Sequence, residues 1–365
     1  MKLALVGAGH AHLAVIAQAS RLRAAGLDPF LIAPATFDYS GLASGVLSGA
    51  LAPDSARINV SALARVHDLP HRVGEVASLD RDRRRLTLDD GSDHAFDAVS
   101  FNIGSQVSGP VDWIGREGIW PVKPLASLLA LRAALESVFA DGSPTPDVVI
   151  LGDGPTGFEI TAAVAGLHER HGRKASLTLV GPDADARWAP GTAGRALTRN
   201  LDRRGVLRIA GEAVAHWDDR LELSDGRTLA CDHLVLATGL KAPALTRRLD
   251  VPLDALGRVL VGPTLSSVGD DRLFAVGDCA SIVGAPRPFA GVFGVRAAEV
   301  LIHNLCALGT SGPMRAYRPQ SRWLSILDLG DGTGLGVRGQ LWSQGRSALA
   351  LKRRLDLGFV ARNRD

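Results

Sequence analysis

Residues 2–12 read KLALVGAGHAH, and residues 148–157 read VVILGDGPTG. In both stretches a short apolar run leads into closely spaced glycines, and the residues that follow favour a helix. A strand, a glycine turn and a helix in this order cradle a pyrophosphate, because glycine lets the backbone approach the phosphates and the helix N-terminus carries partial positive charge. One such turn is a weak signal. Two of them predict an α/β fold with two Rossmann-like dinucleotide-binding domains.

A third turn, Gly277-Asp278, follows the apolar run Leu273–Val276, which is typical of a buried strand. Because two dinucleotide cradles lie in one chain, the simplest interpretation is that a flavin is held against a nicotinamide.

The composition is that of a globular protein with room for two or three domains. Of the 365 residues, 46% are hydrophobic and 22% charged, and the net charge of +3 argues against a nucleic-acid binder that works by bulk charge. Cys231, Cys279 and Cys306 include no C-x-x-C pair, so we expect a reducing, cytoplasmic compartment. His168 and His171 have no further ligands nearby in sequence, and no metal site is predicted.

The first twenty residues superficially match a signal peptide, because Lys2 precedes a long run without charge. Gly7 and Gly9 lie where a strand-to-helix turn belongs, so we expect this segment to be part of the fold.

The chain also contains a longer internal repeat. Residues 86–104 (LTLDDGSDHAFDAVSFNIG) align without gaps on residues 221–239 (LELSDGRTLACDHLVLATG). In each copy an Asp-Gly turn follows an alternating strand and precedes a long apolar one, which predicts a hairpin. The recurrence of turn, hairpin and closing glycine favours a duplicated unit.

The order of the glycine turns, the repeated units and the Gly277-Asp278 turn predicts the layout of the chain. The first dinucleotide domain comprises residues 1–115 and 244–315, and it is interrupted by the second, residues 116–243. Residues 316–365 form a C-terminal extension. Within the domains we expect helices over about 11–25 and 155–170 and strands over 30–33 and 176–180.

The motifs LALVGAGHAH, VVILGDGPTGFE, LVLATG, LFAVGDCA and PRPFAGVFGVRAAEVLIHNL occur in this order over most of the first 310 residues. In this order the chain resembles the pyridine nucleotide-disulfide oxidoreductase superfamily, the flavoproteins with two dinucleotide-binding domains. It is most similar to type II NADH dehydrogenases. The GHAH turn, Tyr39-Ser40-Gly41 and RPQSRWLSILDLGDG also resemble the FAD-dependent branch associated with selenophosphate synthetase.

The resemblance implies that residues 1–115 and 244–315 bind FAD and residues 116–243 bind NADH or NADPH. The residues it assigns to cofactor binding are Gly7, Gly9, His10, Ala11, His12, Gly104, Gly152, Gly154, Gly157, Glu159, Gly239, Gly277, Asp278, Gly291 and Val292. Gly7 and Gly9 would line the FAD pyrophosphate, and Asp278 would accept hydrogen bonds from the ribitol. The helix that begins near Gly291 would favour negative charge on the flavin, and Glu159 would lie near a ribose of the nicotinamide dinucleotide.

Two departures from the pattern leave questions open. His12 stands where a third glycine is expected, so its side chain points outward or the helix lies farther from the strand. His10 either donates to phosphate or is exposed on the turn. No acid ends the strand Phe30–Ala33, so we expect no carboxylate at the FAD adenosine ribose.

The strand 176–180 is followed by Gly181, where an acid that selects NADH is expected. Asp183 comes two positions later, and Arg187 could face a 2′-phosphate. Asp153 adds a negative charge near the phosphates. The choice between NADH and NADPH therefore stays open, as does loss of nicotinamide binding.

The redox-active disulfide of the disulfide reductases is absent from the sequence, so electrons would leave the flavin directly to a small-molecule acceptor such as a quinone. Lys123 is the candidate catalytic residue, with a surface lysine between prolines as the alternative. Phe289 and Phe293 either wall the acceptor site or belong to the core.

Residues 346–365 carry Leu351, Leu355 and Phe359 at helical spacing among basic residues. This pattern predicts an amphipathic helix that lies peripherally on the inner face of the membrane or docks on the FAD domain. The sequence leaves the oligomeric state open.

The function predicted is transfer of a hydride from NAD(P)H to FAD and of electrons to a quinone-like or other acceptor. One alternative is a flavoprotein with a vestigial nicotinamide site that uses a sulfur or selenium reductant. Another is a non-catalytic flavin-binding redox sensor.

Overall fold

Two sheets organise the protein, whose computed structural model describes residues 1–110 and 112–364. Val111, inside the first predicted segment, and Asp365, at the end of the predicted extension, lie outside the described residues. The larger sheet has, in spatial order, the strands Ala280–Ile282, Val259–Val261, Ser266–Ser267, Asp270–Ala275, Ala98–Phe101, Lys2–Val6, Asp28–Ala33 and His71–Val73. Its last five strands are parallel.

The second sheet is parallel throughout. In spatial order its strands are Ile119–Pro121, His233–Leu236, Asp147–Leu151, Ser176–Gly181 and Leu207–Ala210. The segment Val148–Leu151 is wholly apolar and buried, as expected for a parallel sheet covered on both faces. Each sheet thus has a strand that ends in a glycine turn, which confirms the predicted α/β class with two Rossmann-like units.

Helices cover these sheets. In chain order they are α1 (His10–Ile16), α2 (Ala19–Ala24), α3 (Ala43–Leu47), α4 (Val60–Val66), α5 (Leu125–Asp141), α6 (Pro155–Arg170), α7 (Gly191–Arg203), α8 (Gly291–Thr310) and α9 (Arg346–Arg362). The single helix predicted over 11–25 is two helices, because the backbone tightens at Gln18, whose N–H bonds the Val15 carbonyl three residues back. Among the described helices, only α8 is long and apolar enough to cross a membrane, and half of its apolar window is buried in the protein.

The described residues also form five smaller sheets of two or three strands each. Three antiparallel sheets have the strands Val76–Asp80, Arg85–Leu88 and Asp93–Ala95; Ala213–Trp217, Arg220–Leu223 and Thr228–Ala230; and Ser325–Asp328, Gly334–Arg338 and Leu341–Gly345. Two antiparallel pairs join Thr36–Asp38 to Arg57–Asn59 and Gln106–Val107 to Leu240–Lys241.

The repeat predicted a hairpin whose returning strand is the long apolar run, and this part of the prediction was wrong. In both copies the Asp-Gly turn returns as a short strand, Asp93–Ala95 or Thr228–Ala230. The apolar runs Ala98–Phe101 and His233–Leu236 continue into the parallel sheets. They do so because only a sheet covered on both faces can bury consecutive apolar side chains.

The strands on either side of the predicted domain boundaries belong to different sheets. All strands of the larger sheet come from residues 2–101 and 259–282, and all strands of the smaller parallel sheet come from residues 119–236. The boundaries near 115, 243 and 315 remain a prediction. The extension folds as the sheet Ser325–Gly345 with α9 packed on it.

Candidate functional site

A cavity of about 490 Å³ lies at the carboxyl ends of the parallel strands in the larger sheet. Cofactor-sized ligands occupy pockets of this order. The cavity brings together eight of the residues predicted from sequence: Gly7, Gly9, His10, Gly104, Lys123, Gly277, Asp278 and Gly291. Val292 follows in the first turn of α8, and the Gly239 carbonyl accepts from the Ser108 N–H between the sheets. Neither residue is among those that line the cavity.

The first glycine turn is built around Asn102, which follows the strand Ala98–Phe101. A Cβ on Gly7, whose φ is +83°, would lie 2.6 Å from the Asn102 carbonyl oxygen. The Asn102 Oδ1 accepts from the N–H groups of Ala11 and His12 at 3.0 and 3.1 Å, and its Nδ2 donates to the Val276 carbonyl at 2.8 Å. Asn102 therefore caps α1 and ties it to the Gly277-Asp278 turn. Sequence reasoning missed this residue, although it lies in the repeat two positions before Gly104.

Ala11 and His12, which the resemblance assigns to cofactor binding, are not among the residues that line the cavity. Both are fully buried. The His12 Nδ1–H donates to the Gly7 carbonyl at 2.6 Å, and its Nε2 accepts from the Ser100 hydroxyl at 2.8 Å. Burial lowers the pKa of His12 to about 4, so the ring is neutral at pH 7.

The imidazole of His12 points inward, between α1 and the sheet. The alternative in which this side chain points outward is therefore wrong. In the second turn the corresponding residue is Gly157, where a Cβ would overlap the Gly152 carbonyl oxygen. α6 therefore packs on its turn more closely than a side chain would allow.

His10 lines the cavity inside an aromatic cluster. Its ring centroid lies 5.6 Å from Phe37, 5.3 Å from Tyr39 and 5.5 Å from Phe359. Burial lowers its pKa to about 4, with Asp278 opposing the shift and Lys123 adding to it. His10 is therefore a neutral wall of the cavity rather than an exposed turn residue.

Lys123 and Asp278 form the polar centre of the cavity. The Lys123 Nζ lies 3.1 Å from the Asp278 Oδ2 and donates to the Ser105 hydroxyl at 2.7 Å, while Ser105 donates to Asp278 at 2.7 Å. The two charged side chains are only 28% and 14% exposed. Lys123 is thus not a surface lysine, and Ser105 is a member of the site that the sequence did not reveal.

Two further carboxylates line the cavity, which also includes Ala33 at the end of its strand. Asp38 and Glu75 are on the cavity wall together with Pro34. Asp38 is 3.2 Å from the Arg57 guanidinium. They were missed because they belong to later segments that the fold brings to the strand end.

Glu159, which the resemblance assigns to the nicotinamide dinucleotide, contacts α3 and the C-terminal extension. Its carboxylate accepts from the Ser44 hydroxyl at 2.8 Å and from the Asp328 N–H at 2.9 Å, and it is 3.8 Å from the Lys352 Nζ. Glu159 makes these contacts because the face of α6 that carries it packs on α3 and on the extension. Burial raises its pKa.

Lys352 joins the first domain to α9. Its Nζ donates to the Gly41 carbonyl at 2.8 Å and lies 3.1 Å from Asp356, which accepts from the Tyr39 hydroxyl at 2.9 Å. Burial lowers the pKa of Lys352, but Glu159 and Asp356 together outweigh burial and raise it, so the amine is charged.

The cysteines are all free. Burial raises the pKa of Cys279 to about 11 and that of Cys231 to about 12, so both are protonated thiols at neutral pH.

Residues 1–304 match the family described as pyridine nucleotide-disulphide oxidoreductase. The chain is 28% identical over 225 residues to an NADH dehydrogenase-like protein of Mycobacterium tuberculosis, covering 58% of this chain and 55% of that protein. It is 25% identical over 207 residues to a type II NADH:quinone oxidoreductase of Haemophilus influenzae, covering 52% and 46%. The chain therefore spans about half the length of these curated relatives.

The structure of NDH2 from Plasmodium falciparum in complex with NADH has a TM-score of 0.83 at 12% identity, over 99% of this chain and 97% of that one. At that identity the likeness shows the fold alone. The family match includes both glycine turns and the Gly277-Asp278 turn, and it confirms an oxidoreductase whose cofactors are FAD and a nicotinamide dinucleotide. The chain belongs to the pyridine nucleotide-disulphide oxidoreductase family.

Proposed function

We propose that the protein takes a hydride from NADH or NADPH onto FAD and delivers electrons to a quinone-like acceptor. The observation that carries this proposal is the cavity in which Lys123, Asp278 and the beginning of α8 meet the first glycine turn. The relatives named NADH dehydrogenase-like protein and type II NADH:quinone oxidoreductase support the same activity.

The residues present fit FAD. Gly7 leaves the backbone open to a pyrophosphate, since no Cβ fits beside Asn102. Asp278 offers a carboxylate to ribitol hydroxyls. The N-terminus of α8 lies beside the Lys123–Asp278 pair, and its partial positive charge favours negative charge on a bound ring. FAD, when bound, supplies the two-electron chemistry, and the protein supplies orientation and electrostatics.

The acceptor is proposed to be a small molecule that meets the flavin directly. Cys279, the cysteine nearest the site in sequence, is fully buried and its thiol is protonated. It donates to the carbonyls of Phe101 and Val276 instead of facing the cavity. A thiol relay is therefore not supported by the described residues, and direct transfer to a quinone is the simpler route.

α9 suggests where such an acceptor comes from. Phe359 and Lys352 face inward, whereas Leu351 and Leu355 are 44% and 52% exposed. Residues four apart on a helix are offset by about 40° around its axis. Phe359, eight residues after Leu351, therefore lies on a different face of α9 from Leu351. Together with Leu324, Leu341 and Trp342, these leucines form an exposed surface that we name the C-terminal leucine patch.

We infer that this patch rests on the inner face of the cytoplasmic membrane, with exposed arginines such as Arg354 beside it. The inward face of α9 packs against His10 in the cavity wall. A membrane-dissolved acceptor would therefore approach the protein on the same side as the flavin cavity.

An anaerobic stopped-flow experiment tests the activity. Mixing the flavin-loaded protein with NADH or NADPH should bleach the flavin band, and a second mix with a short-chain quinone should restore it. Lys123→Met should slow bleaching by at least about tenfold, because its positive charge in the cavity is lost. The matched control is Lys174→Met, an exposed lysine of the second domain, which should leave the rate unchanged.

No bleaching with either dinucleotide would contradict the proposal. That result would favour the flavoprotein with another reductant, such as a sulfur or selenium species, or the redox sensor. Bleaching without reoxidation by quinone would retain the reductase but exclude the acceptor.

A further inference from the structure

The second glycine turn lacks an acid where nicotinamide-binding units usually carry one. The strand Ser176–Gly181 ends in glycine. An acid at this position ordinarily accepts a hydrogen bond from the adenosine ribose, and an arginine nearby accommodates the 2′-phosphate of NADP.

The space beside Gly181 is filled by the side chain of Asp153, from inside the glycine turn. A Cβ on Gly181 would lie 2.5 Å from the Asp153 Cγ. Gly181 is not in the left-handed region, so its backbone does not require glycine. Glycine is needed there to make room, and a different segment delivers the carboxylate to the strand end.

Hydrogen bonds hold Asp153 in this place. Its Oδ2 accepts from the N–H groups of Asp183 and Ala184 at 3.0 and 2.8 Å, and its carbonyl accepts from the Trp188 indole at 3.0 Å. A carboxylate has about four acceptor positions, so the group keeps capacity for a further donor.

Two cations near this strand end already have partners. Arg187 of the adjoining loop, which could face a 2′-phosphate, is 3.1 Å from Asp183, and Arg208 of the strand Leu207–Ala210 is 2.9 Å from Asp202. A phosphate at the strand end would therefore face the carboxylate of Asp153, which has no ion-pair partner among the described residues, beside the Asp183–Arg187 pair.

We propose that Asp153 determines dinucleotide specificity, accepting a hydrogen bond from an adenosine ribose hydroxyl and repelling a 2′-phosphate. The site thereby selects NADH over NADPH. The inference rests on the proposed function in one respect, that the second glycine turn takes a nicotinamide dinucleotide.

Isothermal titration of the flavin-loaded protein with ADP-ribose and with 2′-phospho-ADP-ribose tests the assignment. Neither probe carries a nicotinamide, so no hydride transfer is involved. The wild-type protein should bind ADP-ribose at least about 100-fold more tightly. Asp153→Asn keeps an oxygen for the two loop N–H groups but removes the charge, and it should reduce that ratio by about tenfold or more, mainly through tighter binding of the phosphorylated probe.

Two further variants test whether the preference between the probes comes from the Asp153 charge or from its hydrogen bonds to the loop. The double variant Asp183→Asn with Arg187→Gln removes the neighbouring surface ion pair as a unit, and it should change the ratio by less than about threefold. The exchange Asp153→Gly with Gly181→Asp relieves the overlap and puts the acid on the strand itself. It should restore the wild-type preference.

Equal binding of both probes by the wild-type protein, or preference for the phosphorylated one, would overturn the proposal. So would an Asp153→Asn variant that weakens both probes by the same factor, or a wild-type protein that binds neither. Failure of NADH to bleach the flavin would instead contradict the proposed activity, while the preference between the probes still reports on Asp153.

Discussion

His12 replaces a glycine of the dinucleotide pattern with a side chain that has become part of the core. Its two ring nitrogens are satisfied by Gly7 and Ser100, and the residue is fully buried. This arrangement needs the neutral ring, since a protonated Nε2 would face the Ser100 hydroxyl as a second donor unless that hydroxyl rotates. The fold therefore depends on pH through this residue.

Burial lowers the pKa of His12 from 6.5 to about 4, so between these values the unfolded chain binds more protons than the folded one. The stability that the neutral ring contributes is present above about pH 6.5 and is lost as the pH falls towards 4. From pH 7 to pH 5 we expect a loss of about 2 kcal/mol in the free energy of unfolding from this group.

Urea titrations at the two pH values measure this loss, with the same excess of FAD in each. His12→Gln offers a donor and an acceptor but does not titrate, so its dependence on pH should be weaker by about 2 kcal/mol. An undiminished pH dependence in the variant would assign the effect to other groups.

At the level of elements, the Asn102 side chain connects α1, the end of the strand Ala98–Phe101 and the Gly277-Asp278 turn. It caps the short helix α1 in place of an N-cap side chain, since the N-cap residue is Gly9. Its amide donates to the Val276 carbonyl just before the Gly277-Asp278 turn. The two turns that flank the cavity are thereby held in one geometry.

Asn102→Ala should lower the free energy of unfolding by about 2–3 kcal/mol, because it leaves buried N–H and carbonyl groups without partners. It should also weaken FAD binding, measured as flavin released on dilution. Asn304 is the matched control. It is equally buried, and it bonds Thr264 and Arg315 away from the glycine turns.

Asn304→Ala should lower stability by a similar amount while its folded fraction keeps the wild-type affinity for FAD. If both variants retain flavin equally well, the role of Asn102 is confined to stability.

For the molecule as a whole, the extension holds both dinucleotide domains at one junction. Lys352 in α9 contacts Gly41 of the first domain and lies near Glu159 of α6. Because Lys352 and Asp356 occupy the inward face of α9, Leu351 and Leu355 lie on its exposed face. The C-terminal leucine patch follows from that docking.

Sedimentation with phosphatidylglycerol vesicles tests the patch. Leu351→Ser with Leu355→Ser should reduce vesicle binding at least about tenfold, because two apolar side chains no longer enter the interface. Leu207→Ser is the control, a leucine of the second sheet that is even more exposed than the two patch leucines, and should bind like the wild type. Wild-type protein that stays in solution, or a double variant that binds equally well, would remove the membrane from the proposal.

Much of this fold follows from local pattern. Apolar runs, glycine spacing and Pro155 at the first position of α6 are interactions between neighbours in sequence, and they predicted two strand–turn–helix units and the Gly277-Asp278 turn. The family resemblance then added cofactor contacts, and most of those assigned to FAD line one cavity.

The contacts of individual side chains could not be predicted from local pattern, because each contact is made with a segment distant in the chain. His12 turns inward since Ser100 and Gly7 can bond its ring, and Glu159 turns to Ser44 and the extension. Asp153 occupies the room that Gly181 leaves. Spacing along the chain can show that a glycine turn exists, but what each of its side chains touches is determined by packing between segments that the fold brings together.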